Sequence, residues 1–277
     1  DGYRYLNSNR WWMDCKIMYK LFLVVIFFST TQVEAVEFKG EFTQGHFIIG
    51  KTNPGTKILI DNKRVKVSKD GYFAFGITKN RKLDIVINEA NKTIVKKILK
   101  RKYKIQKIEG LPGKKVTPPE EFYVRIKKEG KLIANARAIN SDLTFFKDNF
   151  IIPVDDAIIT GVYGSQRILN GIPKSPHFGL DFAQKKGTPI KAMNSGIVTL
   201  AEKDLFYTGA TLNFDHGHGI STLYMHMDKI FVSVGDHVKK GEIIGTIGTS
   251  GRSTGPHLDI RLNWFNAKLD PQTILNK

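Results

Sequence analysis

Three short segments in the C-terminal part of this chain bring oxygen and imidazole groups suited to a metal ion. They are Pro176-His177-Phe178-Gly179-Leu180-Asp181, Tyr224-Met225-His226-Met227 and Thr254-Gly255-Pro256-His257-Leu258-Asp259-Ile260. Side chains two apart on a β-strand share a face, so His257 and Asp259 should point into one groove. His177 and Asp181 are four apart across a glycine and converge if the chain bends there. A hydrolytic zinc site takes about three protein ligands and an open position, with a separate base or charge stabiliser nearby. The inventory matches: three candidate ligands and two spare histidines. The chemistry within reach is metal-assisted hydrolysis.

Around these groups runs a longer pattern: Gly187-Thr188-Pro189-Ile190, Gly196-Ile197-Val198, Asp215-His216-Gly217-His218-Gly219, Val234-Gly235-Asp236-x-Val238-x-x-Gly241 and Ser253-Thr254-Gly255-Pro256-His257. With His177-x-x-x-Asp181 and Tyr224-x-His226, it resembles the LytM/lysostaphin-type zinc metallopeptidases, which cut peptide bonds in bacterial peptidoglycan. The resemblance covers residues 161–275. It implies His177 and Asp181 as zinc ligands and His226 and His257 as catalytic groups. It departs at the last ligand, where Asp259 stands in place of a histidine. A carboxylate reaches zinc at about 2.0–2.2 Å, much as imidazole does, so Asp259 is expected as the third ligand of one Zn2+ per chain. A second carboxylate should leave the site less positive, acidify its water less and raise the pH optimum. Harder ions such as manganese should then compete better.

The chain has 277 residues, 41% hydrophobic, with frequent glycine turns, which suits a strand-rich globular protein. Its net charge of +17 calls for an anionic partner or surface. No helix-turn-helix, finger or RNA-binding signature is present, so nucleic acid is not expected. A carboxylate-bearing wall polymer accounts for the charge. Lys16 and Lys20 precede the apolar run Leu21 to Phe28, and Val33-x-Ala35 offers small residues for a signal peptidase. Residues 1–35 therefore read as an export signal cleaved before Val36, the chain's one membrane contact. The rival is an uncleaved anchor. Residues 1–12 precede Met13 and are set aside as a possible over-extension. Cys15 is the only cysteine, so the exported part can form no disulfide.

The elements that must position these groups follow from turn signals and alternation. The expected fold is mainly β: a small antiparallel β-sandwich, a linker with a helix, and a C-terminal LytM-type β-sheet peptidase domain. Residues 36–108 read as the sandwich, with Asp61-Asn62-Lys63 as a hairpin turn and Val95 to Ile108 as its last strand region. Residues 109–149 form the linker. Within it Pro119-Glu120-Glu121 opens a helix over 120–138, whose stripe of Phe122, Ile126, Ile133 and Ala136 should pack. Residues 150–277 carry the peptidase pattern. Val232 to Gly245 reads as a strand–turn–strand unit, and Ile168–Ser175 and Ala201–Gly209 as loops shaping a groove.

His216 and His218 form the only His-x-His, but they flank a glycine turn, so a structural role is expected of them. His46 and His237 lack partners. Ser165, Gln166 and Arg167 could contact substrate, and the sequence does not decide it. These features point to an exported zinc endopeptidase cleaving peptidoglycan stem-peptide cross-links, in the periplasm of a Gram-negative bacterium by family analogy. Two rivals remain: a non-catalytic LytM-domain regulator that activates a cell-wall amidase, and a passive wall-binding protein. Loss of ligands would favour the regulator.

Overall fold

Alternating apolar residues build the N-terminal half of the computed structural model, which describes residues 36–275. The expected export signal and Cys15 lie outside the described residues. The first strands are β1 (Glu37–Lys39), β2 (Phe47–Lys51), β3 (Ile58–Ile60), β4 (Lys63–Val65), β5 (Tyr72–Gly76), β6 (Ile85–Glu89) and β7 (Lys92–Lys96). They form two antiparallel sheets, ordered β1-β2-β5 and β4-β3-β6-β7. The Asp61-Asn62 turn joins β3 to β4 with both residues at positive φ, 49° and 63°, the twist a two-residue hairpin needs. Ile48, Ile58, Phe73, Phe75, Ile85 and Ile87 fill the space between the sheets. Strand period two then decides the other face of β2 and β5: Phe47, Ile49 and Ala74 point away and join the main core of the C-terminal half. The described residues 36–275 accordingly form one compact unit.

The expected strand region Val95 to Ile108 divides. β7 ends at Lys96, and β8 (Ile105–Ile108) leaves the sandwich. It runs parallel to β10 (Gln166–Leu169), which also pairs with β11 (Ile172–Pro173). Ile108, Leu111, Val116 and Leu169 make a small core there, which is what draws β8 across. The segment 168–175, expected as a loop, is thus largely a hairpin turning at Asn170-Gly171. A one-turn helix α1 (Gly113–Val116) and a 3-10 turn at Glu120–Phe122 precede α2 (Tyr123–Arg137), close to the expected 120–138. Ile133 and Ala136 pack on Leu200, Leu223 and Met225, and Phe122 stacks near Phe206.

The C-terminal sheet contains β9 (Ile158–Gly161), β12 (Leu180–Ala183), β13 (Pro189–Lys191), β14 (Gly196–Leu205), β15 (Gly209–Gly217), β16 (Ile220–Ile230), β17 (His237–Val238), β18 (Ile243–Ile247), β19 (His257–Trp264) and β20 (Ala267–Leu269). Its main path runs β17-β14-β15-β16-β19-β12-β9, with every pairing antiparallel. Two expectations are corrected here. β14 continues through Ala201 to Leu205, paired with β15, so the expected 201–209 loop shrinks to a tight turn. The strand–turn–strand unit is not a hairpin: β17 pairs with β14, whereas β18 pairs with β13 and β16. Leu258, Ile260 and Leu262 of β19 face the main core with Phe182, Phe214 and Tyr224. Period two therefore turns His257, Asp259, Arg261 and Asn263 to the other face, the one on which α2 lies. Among the described residues, no helix is long and apolar enough to cross a membrane.

Candidate metal centre and groove

Register puts the two carboxylates side by side. β12 and β19 pair Asp181 with Asp259 and Ala183 with His257, β9 sets Gly161 beside Asp181, and β16 sets Met225 beside Asp259. Like charges directly opposite each other on a sheet repel, so this row requires countercharge. His177 lies against both carboxylates. Its backbone is tied to the preceding turn, with its N–H donating to the Ser165 carbonyl at 2.8 Å. Its Nε2 then lies 3.1 Å from Asp181 Oδ1 and 3.2 Å from Asp259 Oδ2.

All three side chains are buried, with His177 and Asp259 each 1% exposed. Burial alone would lower the His177 imidazole and raise the Asp259 carboxyl. The carboxylates, Asp259 first, reverse the first effect and raise His177. Arg261, then His177, reverse the second and hold Asp259 well below the usual carboxylate range.

The residues present fit a divalent cation. One donor atom from each of His177, Asp181 and Asp259 lies within 4.8 Å of the others. Tetrahedral ligands at about 2.0–2.2 Å from one ion stand about 3.3–3.6 Å apart, close to the two short separations found here. Asp181 Oδ1 and His177 Nδ1 are also buried without a hydrogen-bond partner, and Oδ1 is one of the three converging atoms. A buried carboxylate oxygen left in that condition is costly, and a cation satisfies it.

Two arginines complete the centre. Arg261 donates from Nε to Asp259 Oδ1 at 2.9 Å and from Nη2 to Oδ2 at 2.8 Å. Arg167 Nη2 lies 3.3 Å from Asp181 Oδ2. Two glycines make room. A Cβ on Gly161 would stand 2.1 Å from Asp181 Oδ2, and one on Gly179 would stand 2.1 Å from Asp259 Oδ1 and 2.7 Å from Arg261 Nε. Arg167 was visible in the sequence without a role. Arg261 was missed, although its spacing of two from Asp259 put it on the same strand face.

His226 and His257 sit beside the centre, their ring centroids 4.8 Å apart. His226 has φ +64°, which a side-chain-bearing residue rarely adopts. The β15–β16 register shifts between Ala210 and Leu212, and this bulge re-aims the His226 ring. Ser250 holds it there: the Ser250 carbonyl accepts from His226 Nδ1 at 2.8 Å. The Ser250 hydroxyl accepts from Ala210 N–H and donates to the Met227 carbonyl, each at 2.8 Å. A carbonyl can only accept, so Nδ1 carries the hydrogen and Nε2 keeps its lone pair. Burial first, and His257 second, push the His226 pKa down to about 4. His257 Nδ1 likewise faces a carbonyl, that of Gly255, at 2.9 Å.

Asp181, His226 and His257 open onto a cavity of about 290 Å³ that Arg167, Arg252, Thr254 and Gln106 also line. Burial and the neighbouring arginines lower the Arg252 guanidinium, the mark of a crowded cationic wall. Other histidines lie elsewhere. His216 is in the core, its ring nitrogens 2.7 Å from the Ser195 carbonyl and 2.8 Å from Thr222 Oγ1. His218 packs on Phe146 at 4.7 Å.

Comparison with known proteins converges on this region. Residues 175–271 match the model of peptidase family M23. The peptidoglycan DD-endopeptidase ShyA of Vibrio cholerae is 40% identical over 88 residues, 32% of this chain and 20% of ShyA. The catalytic domain of lysostaphin from Staphylococcus simulans is 33% identical, covering 43% of this chain and 91% of that domain, with a TM-score of 0.38. A Pseudomonas aeruginosa crystal structure assigned to peptidase M23 covers 85% of this chain and 95% of its own, at 25% identity and a TM-score of 0.62. The chain spans a quarter or less of the curated relatives it matches. With residues 175–271 matched and the His177–Asp181–Asp259 row assembled within them, this region of the chain is a domain of the peptidase family M23 type.

Proposed function

We propose that this protein is an exported zinc endopeptidase that cleaves peptide cross-links of bacterial peptidoglycan. The observation that carries the reading is the convergence of His177, Asp181 and Asp259 beside two histidines that open onto the same groove. The three buried residues would hold the ion, with Asp259 as a working ligand and His226 and His257 as the catalytic pair. Bound zinc supplies Lewis acidity toward a scissile carbonyl.

The protein's own groups then divide the proton work. His226 Nε2, neutral at pH 7 because burial depresses its pKa, accepts a proton from the attacking water. Its Nδ1–H bond to the Ser250 carbonyl fixes the ring and supports the imidazolium that forms. The proton taken up by His226 would pass to the leaving amine, and His257, its Nδ1 hydrogen held by the Gly255 carbonyl, would help orient the water through Nε2. Arg252 adds positive charge to the groove beyond the Arg167–Asp181 pair, which suits a peptide with carboxylates near the cut bond. The net charge of +17 acts in the same direction over the whole molecule. Residues 1–35 would direct export to the periplasm, and residues 36–108 would serve as a spacer or wall-binding module. N-terminal sequencing that finds Leu21 to Phe28 retained on a membrane-bound product argues for an anchor instead.

One observation favours a second reading. Both Asp259 oxygens already accept hydrogen bonds from Arg261, an arrangement that also suits a metal-free regulator acting through a wall enzyme. Digestion of purified sacculi separates the two. The endopeptidase reading expects cross-linked dimers to disappear with zinc, to persist with chelator and to persist with His226→Ala. Dimers that persist under all three conditions, with no zinc bound to the native protein, overturn the endopeptidase reading.

A further inference from the structure

The row Asp181–Asp259 sets two buried carboxylates opposite one another, and the chain answers with two guanidiniums. Each carboxylate turns one oxygen toward His177 Nε2 and meets an arginine: Asp181 through Oδ2 to Arg167, Asp259 through both oxygens to Arg261. Arg261 shares the strand and the face of Asp259, and its planar fork matches the carboxylate at two points. A side chain at position 179 would strike this pair, and one at 161 would strike Asp181, so the backbone is cut away around both.

We infer that Arg261 is a positioning residue that allows aspartate to serve at position 259, and that Asp259 and Arg261 function as one unit. Arg167 has the corresponding relation to Asp181. The guanidiniums cancel the charge that the second carboxylate adds, so the centre presents itself to a cation as roughly neutral. This removes the premise on which a raised pH optimum and better competition by manganese were expected. It also predicts a cost for histidine at 259: an imidazole there would leave the half-buried Arg261 beside a group that cannot neutralise it. A buried charge stripped of its partner is among the costliest single changes a fold meets. The inference rests on the metal reading of the site only where metal affinity is concerned; the pairing itself can be tested without metal.

The experiment is a double-mutant cycle on the full chain, melted in chelator. Asp259→His alone and Arg261→Gln alone should each lower Tm by on the order of 10 °C. The double variant D259H/R261Q should recover at least half of that loss. Arg261→Lys, which keeps the charge but not the two-point bond, should fall between native and Arg261→Gln. Zinc competition supplies a readout that mere packing would not move: the double variant should bind zinc at least about tenfold more tightly than Asp259→His alone. Additive losses in the double variant, or Asp259→His melting with the native protein, would overturn the unit. Because melting needs neither metal nor substrate, a protein that cleaves no sacculi can still pass or fail this test.

Discussion

Two histidines of the β15–β16 hairpin, His216 and His226, experience nearly the same desolvation, and each is pushed down to about 4. Their surroundings separate them. His216 engages both ring nitrogens inside the protein, with the Ser195 carbonyl and the Thr222 hydroxyl; it too lies at a register shift, between Asp215 and Gly217, but without a positive φ. His226 engages only Nδ1, sits at φ +64° on a bulge, and shares a groove with Asp181 and His257. A buried polar group with every partner present is architecture; one held in strain with a lone pair aimed at a cavity is equipped for chemistry. The depressed pKa alone distinguishes nothing here.

The largest effect should come from His226→Ala. Turnover should fall by at least about a thousandfold while bound zinc stays within a few-fold of native, since the group acts on the transition state and not on the ion. His177→Ala should instead empty the site. Metal analysis beside kinetics checks both, and equal zinc loss in the two variants would erase the division of roles. His216→Ala should leave turnover per folded molecule unchanged.

Acid should test the half of the comparison that concerns stability. The unfolded chain binds a proton on His216 near 6.5 and the folded chain only near 4. The stability His216 contributes is therefore complete above about pH 6.5 and is lost as pH falls toward 4, by up to about 3 kcal/mol. His226 works in the same direction. Urea melts between pH 7 and 4 should show this acid limb, and His216→Gln should shorten it. A limb unchanged by that substitution would assign it to other groups.

The smallest effect expected is steric. Gly161→Ala places a methyl against Asp181 Oδ2 and should displace that carboxylate, weakening zinc binding by about tenfold, or roughly 1.4 kcal/mol. Gly130→Ala, on open helix surface where an added Cβ meets nothing, should stabilise the fold by a few tenths of a kcal/mol to about 1 kcal/mol. Chelator competition and thermal melts read these two changes. Equal zinc affinity in Gly161→Ala and native protein would mean that Asp181 has space the geometry does not give it.

What the sequence determined by itself was local chemistry. The period-two strands, the Asp61-Asn62 turn, the helix after Pro119 and the donor segments around His177, His226 and His257 were all legible, because each depends on residues near one another in the chain. Tertiary structure decided the rest. Ile105–Ile108 read like the end of a sandwich, yet it pairs in parallel with Gln166–Leu169, a choice made by a small core that no window of sequence contains. Asp181 and Asp259 became neighbours only through the β12–β19 register, and Arg167 met Asp181 only because a turn brought it there. Charge balance in a buried site is a sum over long-range partners, so the sequence could name the candidate ligands while the fold alone revealed the arginines beside them.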